Sequence, residues 1–321
     1  MNNLLLRNMH ALLAAFMLTL HSGFVAADTD IEQRTANIMS EGVRMHADIY
    51  HPKSPAGKAL PTIIMSHGWG GTASLLRTQA MDFAAAGYFV IAFDYRGWGN
   101  SDSRVILTQP APSEKTGQRF VAEVKEVREV VDPLDQGQDI LNVVHWAAGE
   151  TMVDQNRIGL WGTSFSGGLV AYVAARDARV RAFVSQVGFF GRSKLSGTQD
   201  DRRMRAFTEG TKRARGELPY PAPRAREVGN LQGGPIREKF LHYDPIDDMA
   251  KIKRCAALFI AAENEELFDN KDNPELAYQR AAEPKQYVVI PNIAHYGVYS
   301  QARVEVTKLA VEWLDRYLKQ P

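Results

Sequence analysis

The 321-residue chain reads as an α/β protein: a mostly parallel central sheet, helices on both faces, and one inserted cap. Three observations predict this. Short, continuously apolar runs recur, such as residues 62–65 and 89–93, as expected of strands buried on both faces. They alternate with segments of helical periodicity. The alternation breaks at about residues 188–252, where the chain turns polar and arginine-rich.

Residues 1–27 have the form of a secretory signal peptide. Arg7 precedes an apolar run at 11–20, and Val25-Ala26-Ala27 suits a signal peptidase. That run is too short for a comfortable membrane span, so an uncleaved anchor is the second reading. No cysteine lies in the segment, which argues against a lipoprotein anchor. The expected location is the periplasm or the exterior, with no stable membrane association after cleavage. Removing the segment takes Arg7 and no acid, so the formal charge falls from +1 to about zero. That balance gives no reason to expect nucleic acid as a partner. Cys255 is the one cysteine, so no intrachain disulfide is expected. It opens an apolar strand and reads as core. The sequence gives no reading of oligomeric state.

The remaining chain, 28–321, is expected to be one α/β domain carrying the cap. A hairpin is predicted over residues 33–50, with its turn at Ser40-Glu41-Gly42. His46 and His51 fall there as exposed strand residues. The strand at 62–65 ends at Ser66-His67-Gly68-Trp69-Gly70-Gly71, and a helix over about 74–86 stops at Gly87. The strand at 89–93 ends at Asp94-Tyr95-Arg96-Gly97-Trp98-Gly99-Asn100-Ser101. Residues 102–131 are polar and carry no clear period. Asp132-Pro133 then starts a helix, with proline at its first position. Further strands follow at 180–187, 256–261 and 286–290, with a helix at 273–282. The last helix carries Val306, Leu309, Ala310, Trp313, Leu314, Tyr317 and Leu318 on one stripe.

The candidate chemistry centres on Gly162-Thr163-Ser164-Phe165-Ser166-Gly167-Gly168, between an apolar strand and a helix. A serine at the apex of such a turn is a nucleophile elbow. The turn strains Ser164, and its neighbours must be small. Ser166 stands where the G-x-S-x-G pattern has its last glycine, and it is small enough to fit. A serine hydroxyl needs a base, itself oriented by a carboxylate, here in the chain order serine, acid, histidine. His295 lies just past the last strand. The acid belongs after the preceding strand, in Ala262-Glu263-Asn264-Glu265-Glu266-Leu267-Phe268-Asp269. A small residue, two others and then the acid selects Glu265, with Glu266 and Asp269 as alternatives. Oxyanion donors are expected from the backbone N–H of Phe165 and of Trp69. His67 precedes the serine and is expected to brace its own loop. His145 and His242 read as structural. Trp98, Phe189, Phe190 and Tyr296 lie at neighbouring strand ends and are expected to line an apolar substrate pocket. No zinc-ligand spacing and no phosphate-binding glycine loop occur, so no metal and no cofactor are expected.

These motifs occur in order, and together they resemble the α/β-hydrolase fold. The resemblance is to the group of dienelactone hydrolases and S15 Xaa-Pro dipeptidyl peptidases, and covers about residue 61 to the C-terminus. The main reading is a serine hydrolase that cleaves carboxylic esters of small substrates, hydrophobic or aromatic ones given the aromatic residues at the strand ends. Dienelactone hydrolase uses a cysteine nucleophile, whereas position 164 is serine. S15 peptidases carry a β-rich domain after the histidine, whereas here one helix follows His295. An amidase or peptidase on the same residues is the first alternative, and a non-catalytic binding protein on this fold the second. The Asp94–Ser101 element is expected to be structural, with Arg96 tied into the sheet edge.

Overall fold

The computed structural model describes residues 30–53, 58–192 and 198–320. The expected leader at 1–27 lies outside the described residues, as do residues 193–197 of the expected cap. The chain opens with a hairpin of β1 (Ile31–Ser40) and β2 (Val43–Pro52), turning through Glu41 and Gly42 at positive φ. Next come β3 (Leu60–Ser66), α1 (Arg77–Ala85) and β4 (Phe89–Phe93). Residues 102–131, which had no clear period, form a projecting ribbon of β5 (Arg104–Leu107) and β6 (Val124–Val127), then the short β7 (Val130–Val131). Helix α2 (Pro133–Gly149) starts where expected, because the Asp132 side chain accepts from the Leu134 and Asp135 amides.

The elbow strand β8 (Val153–Thr163) leads into α3 (Ser166–Ala174), and β9 (Val180–Gln186) follows. The cap segment holds α4 (Gln199–Ala214), β10 (Gly234–Pro235), a 3-10 helix Arg237–His242 and the short α5 (Pro245–Asp248). The rhythm then resumes with β11 (Ala256–Ala262), α6 (Pro274–Arg280), β12 (Lys285–Ile290) and α7 (Arg303–Leu314).

Eight strands form one sheet in the order β1-β2-β4-β3-β8-β9-β11-β12. The first two pairings are antiparallel and the rest parallel. Two apolar layers hold it. One joins the sheet to α1 and α7 through Phe83, Trp313, Leu314 and Leu318. The other joins it to α2, α3 and α6 through Ile140, Val144, Leu169 and Ala277. Burying a leucine such as Leu314 or Leu318 contributes about 2 kcal/mol. The parallel strands all end on one edge, where β3, β8, β11 and β12 deliver the site.

Two local expectations need correction. His51 is buried rather than exposed, and its ring stacks on Phe89 at 5.5 Å. Arg96 ties to α2, not to the sheet edge: its Nε donates to buried Asp139 at 2.5 Å.

Candidate active site

Ser164 sits at the end of β8 with φ 56, the strained backbone an elbow demands, at a cost of about 1–3 kcal/mol. The small neighbours have steric reasons. A Cβ on Gly162 would collide with the Ser166 main chain, and one on Gly167 would stand 2.6 Å from the Ser185 hydroxyl. Ser166 is fully buried, and its hydroxyl bonds to Ser66 and to Tyr95. The departure from glycine is therefore absorbed by a buried hydroxyl cluster beneath the elbow.

The structure brings Ser164, His295 and Glu265 together. His295 Nε2 lies 3.0 Å from Ser164 Oγ, and His295 Nδ1 lies 2.8 Å from Glu265 Oε2. A carboxylate can only accept, so Nδ1 carries a proton and Nε2 is left to accept from the serine hydroxyl. The His295 and Glu265 side chains are nearly inaccessible, whereas Ser164 is half-buried. Glu265 is held in turn by the Leu267 N–H on its Oε1 at 3.0 Å. The two alternative acids act elsewhere. Glu266 Oε2 accepts the His295 backbone N–H, and Asp269 accepts the Lys271 N–H. Phe268 packs edge-on against the His295 ring at 5.7 Å.

The loop after β3 faces the serine. A Cβ on Gly68 would stand 2.8 Å from Ser164 Cβ and 2.9 Å from the Thr163 carbonyl, so only glycine permits that approach. The backbone N–H groups of Trp69 and Phe165 donate to no backbone carbonyl among the described residues. Asp94 anchors the loop from behind, accepting from the Ala73 N–H at 2.7 Å and the Asn100 N–H at 2.8 Å. His67 is buried, its Nδ1 donating to the Gly68 carbonyl at 3.0 Å and its ring edge-on to Tyr95. Burial pushes its pKa below the usual histidine value, so it stays neutral and braces the loop.

Of the expected pocket residues, Phe189 and Tyr296 lie beside the serine and histidine with Trp69 of the facing loop, while the Phe165 ring is buried. Trp69 meets Phe165 edge-on at 5.5 Å, Phe189 lies 6.4 Å from Phe165, and Tyr296 packs on His295 at 5.2 Å. The structure does not bring Trp98 and Phe190 there. Trp98 is buried beside His67, its indole N–H donating to the Val130 carbonyl. Phe190 turns under the sheet edge onto Phe259 at 6.0 Å. Sequence reasoning missed Phe240 of the cap. It stacks on Trp69 at 6.4 Å and lies 5.9 Å from Phe165. The cap also touches this loop where the Trp69 indole N–H donates to the Gly233 carbonyl at 3.0 Å. Nothing local in the sequence marks Phe240, because its place depends on how the cap folds back. Among the described residues no cluster of three or more His, Cys, Asp or Glu could hold a metal ion. No described helix is long and apolar enough to cross a membrane.

The model of the S15 X-Pro dipeptidyl-peptidase family matches residues 41–210, more than half of the chain. The chain belongs to this family. An uncharacterized 31.7 kDa protein of Escherichia coli, from the traX-finO intergenic region, is 28% identical, covering 80% of this chain and 91% of its own. The quorum-quenching protein AidA of Acinetobacter baumannii is 34% identical over 47% of this S15 member and 42% of its own length. Among solved structures, a hypothetical protein from Pseudomonas aeruginosa superposes with a TM-score of 0.71 at 20% identity, covering 95% of this chain and 99% of its own. Est1E from Butyrivibrio proteoclasticus, with ferulic acid bound, gives 0.63 at 18% identity, covering 89% and 100%. Structures this distant carry the fold alone, and that fold is the α/β-hydrolase fold. Family and fold together make the chain an α/β hydrolase.

Proposed function

We propose that this hydrolase cleaves carboxylic esters through an acyl-enzyme formed on Ser164. The observation that carries the reading is the relay from Ser164 Oγ through His295 to Glu265, at 3.0 and 2.8 Å, starting at a strained elbow. Ser164 attacks the ester carbonyl while His295 Nε2 takes its proton. Glu265 stabilises the imidazolium that forms. The Trp69 and Phe165 amides donate to the developing oxyanion. The imidazolium then protonates the leaving alcohol. Water, deprotonated by the same base, attacks the acyl-enzyme, and the carboxylic acid departs.

The rings of Trp69, Phe189, Phe240 and Tyr296 support a hydrophobic or aromatic substrate. Each buried methylene adds about 0.8 kcal/mol of transition-state binding until the space is filled. The test is kcat/KM across p-nitrophenyl esters of rising acyl length and across aryl-acid esters. A rise followed by a plateau supports the reading. A steady fall from acetate, with no gain from aromatic groups, argues against the apolar pocket.

Membership of the S15 family favours a second reading, cleavage of an Xaa-Pro amide by the same residues. Xaa-Pro-p-nitroanilides assayed beside aryl esters separate the two. We also propose that residues 1–27 direct export and are removed, and that residues 188–252 act as a cap. N-terminal sequencing of the protein from a periplasmic or culture fraction tests the first point. Deleting the projecting part of the cap and reassaying short against aromatic esters tests the second.

A further inference from the structure

The His295 segment carries one contact that the proposed relay does not use. Glu266 Oε2 accepts the His295 backbone N–H at 2.8 Å, while Glu265 accepts from the ring of the same residue at 2.8 Å. Two consecutive glutamates thus hold one histidine, one by its ring and one by its main chain. His295 opens a single 3-10 turn, His295–Tyr299, with no side-chain cap from the preceding residue. The first amides of such a turn have no partner within it. Glu266 supplies the missing acceptor from the end of another strand. At the far end of the turn, the Tyr299 hydroxyl bonds to Thr163, the residue before Ser164, at 2.6 Å. The turn is therefore pinned to the acid loop at its first residue and to the elbow strand at its last.

A ring bond to Glu265 directs Nδ1 but leaves the position of the His295 main chain to other contacts. The reach of Nε2 to Ser164 depends on that position, and misplacement by about 1 Å can cost about 100-fold in rate. We infer that Glu266 is a positioning residue, whose carboxylate sets the main-chain place from which His295 meets Ser164. This rests on the reading of His295 as the base. The Glu266 charge is also felt locally: burial, then Glu266 and Glu265, push the neighbouring Tyr296 hydroxyl up from its ordinary value.

The experiment measures kcat, KM and melting temperature for one p-nitrophenyl ester. It compares wild type with Glu266→Ala, Glu266→Gln and Glu265→Gln. We expect Glu266→Ala to lower kcat about 10- to 100-fold with KM within about twofold. Glu266→Gln keeps an acceptor and should recover most of that loss. A fall in melting temperature with unchanged kcat would show a merely structural contact and overturn the inference. If Glu266→Ala does not fold, Glu266→Asp, which draws the carboxylate back by one methylene, decides: lowered kcat at unchanged KM supports the role, and wild-type kcat overturns it. Wild-type rates in Glu265→Gln would instead remove the reading of His295 as base. A crippled Glu265→Gln beside two unaffected Glu266 variants would remove the positioning role alone.

Discussion

The strand-end loops and the cap meet at the same serine but are held there in different ways. The loops after β3, β8, β11 and β12 leave almost no free volume. Gly68 and Gly162 have no room for a Cβ, Asp94 is buried between two amides, and His295 is gripped by two glutamates. Within the cap, α4 is tied to the 3-10 helix by partly exposed charges, Arg213 with Glu238 and Arg237 with Glu209, while Tyr243, Ile246 and Met249 at the cap's end join the main core. In α4 only Ala206 is buried. Exposed ion pairs contribute about 0–1 kcal/mol each, whereas an overpacked core position costs about 1–3 kcal/mol. On the proposed function, the chemistry belongs to the sheet edge and the choice of substrate to the cap. Changes at the edge should appear in kcat, and changes in the cap in KM and selectivity.

The sharpest way to break that division is to remove the groups at the edge. Ser164→Ala and His295→Ala should each lower kcat for an aryl ester by about 10⁴-fold or more, with KM little changed. The double variant should be little worse than either single one, because the members of a relay act as a unit. Glu265→Gln comes next, at about 10³- to 10⁴-fold, since an amide cannot stabilise the imidazolium and can hold the wrong tautomer. Single-turnover kinetics on the purified variants checks both. Gly68→Ala should cost about 100-fold in kcat, by pushing the oxyanion loop off Ser164. An unchanged rate there would mean that the loop is not part of the chemistry.

The cap predicts the opposite pattern. Phe240→Ala removes a ring that packs on Trp69 and Phe165. It should raise KM for aromatic esters about tenfold while leaving kcat for acetate esters within about twofold. An equal loss on both substrates would place Phe240 with the chemistry and dissolve the comparison.

The same division explains what could be read from the residues alone. Strand-end groups follow from chain order, because a parallel sheet delivers every strand end to one edge. The apposition of Ser164, Glu265 and His295, and of the Trp69 and Phe165 loops, was legible for that reason. Side-chain direction was not. Phe189 and Phe190 are neighbours, yet the turn sends one toward the elbow and the other onto Phe259. Trp98 has the same chemistry as Trp69 but turns toward buried His67. Glu266 could be seen as an alternative acid but not as a partner of a main-chain amide, since that bond depends on two loops meeting. Phe240 lay in a segment without a period, where sequence carries little register.

The most direct test of the proposed function is to trap the acyl-enzyme. Wild type and Ser164→Ala are mixed with an excess of a slowly hydrolysed aryl ester, quenched within the first turnover, and examined by intact and peptide mass spectrometry. The proposal predicts one acyl adduct per wild-type chain, carried by the peptide containing Ser164, with one equivalent of phenol released in a burst. Neither adduct nor burst should occur in Ser164→Ala. An adduct on another residue, or undiminished ester turnover in Ser164→Ala, would contradict the assignment of Ser164 as the nucleophile.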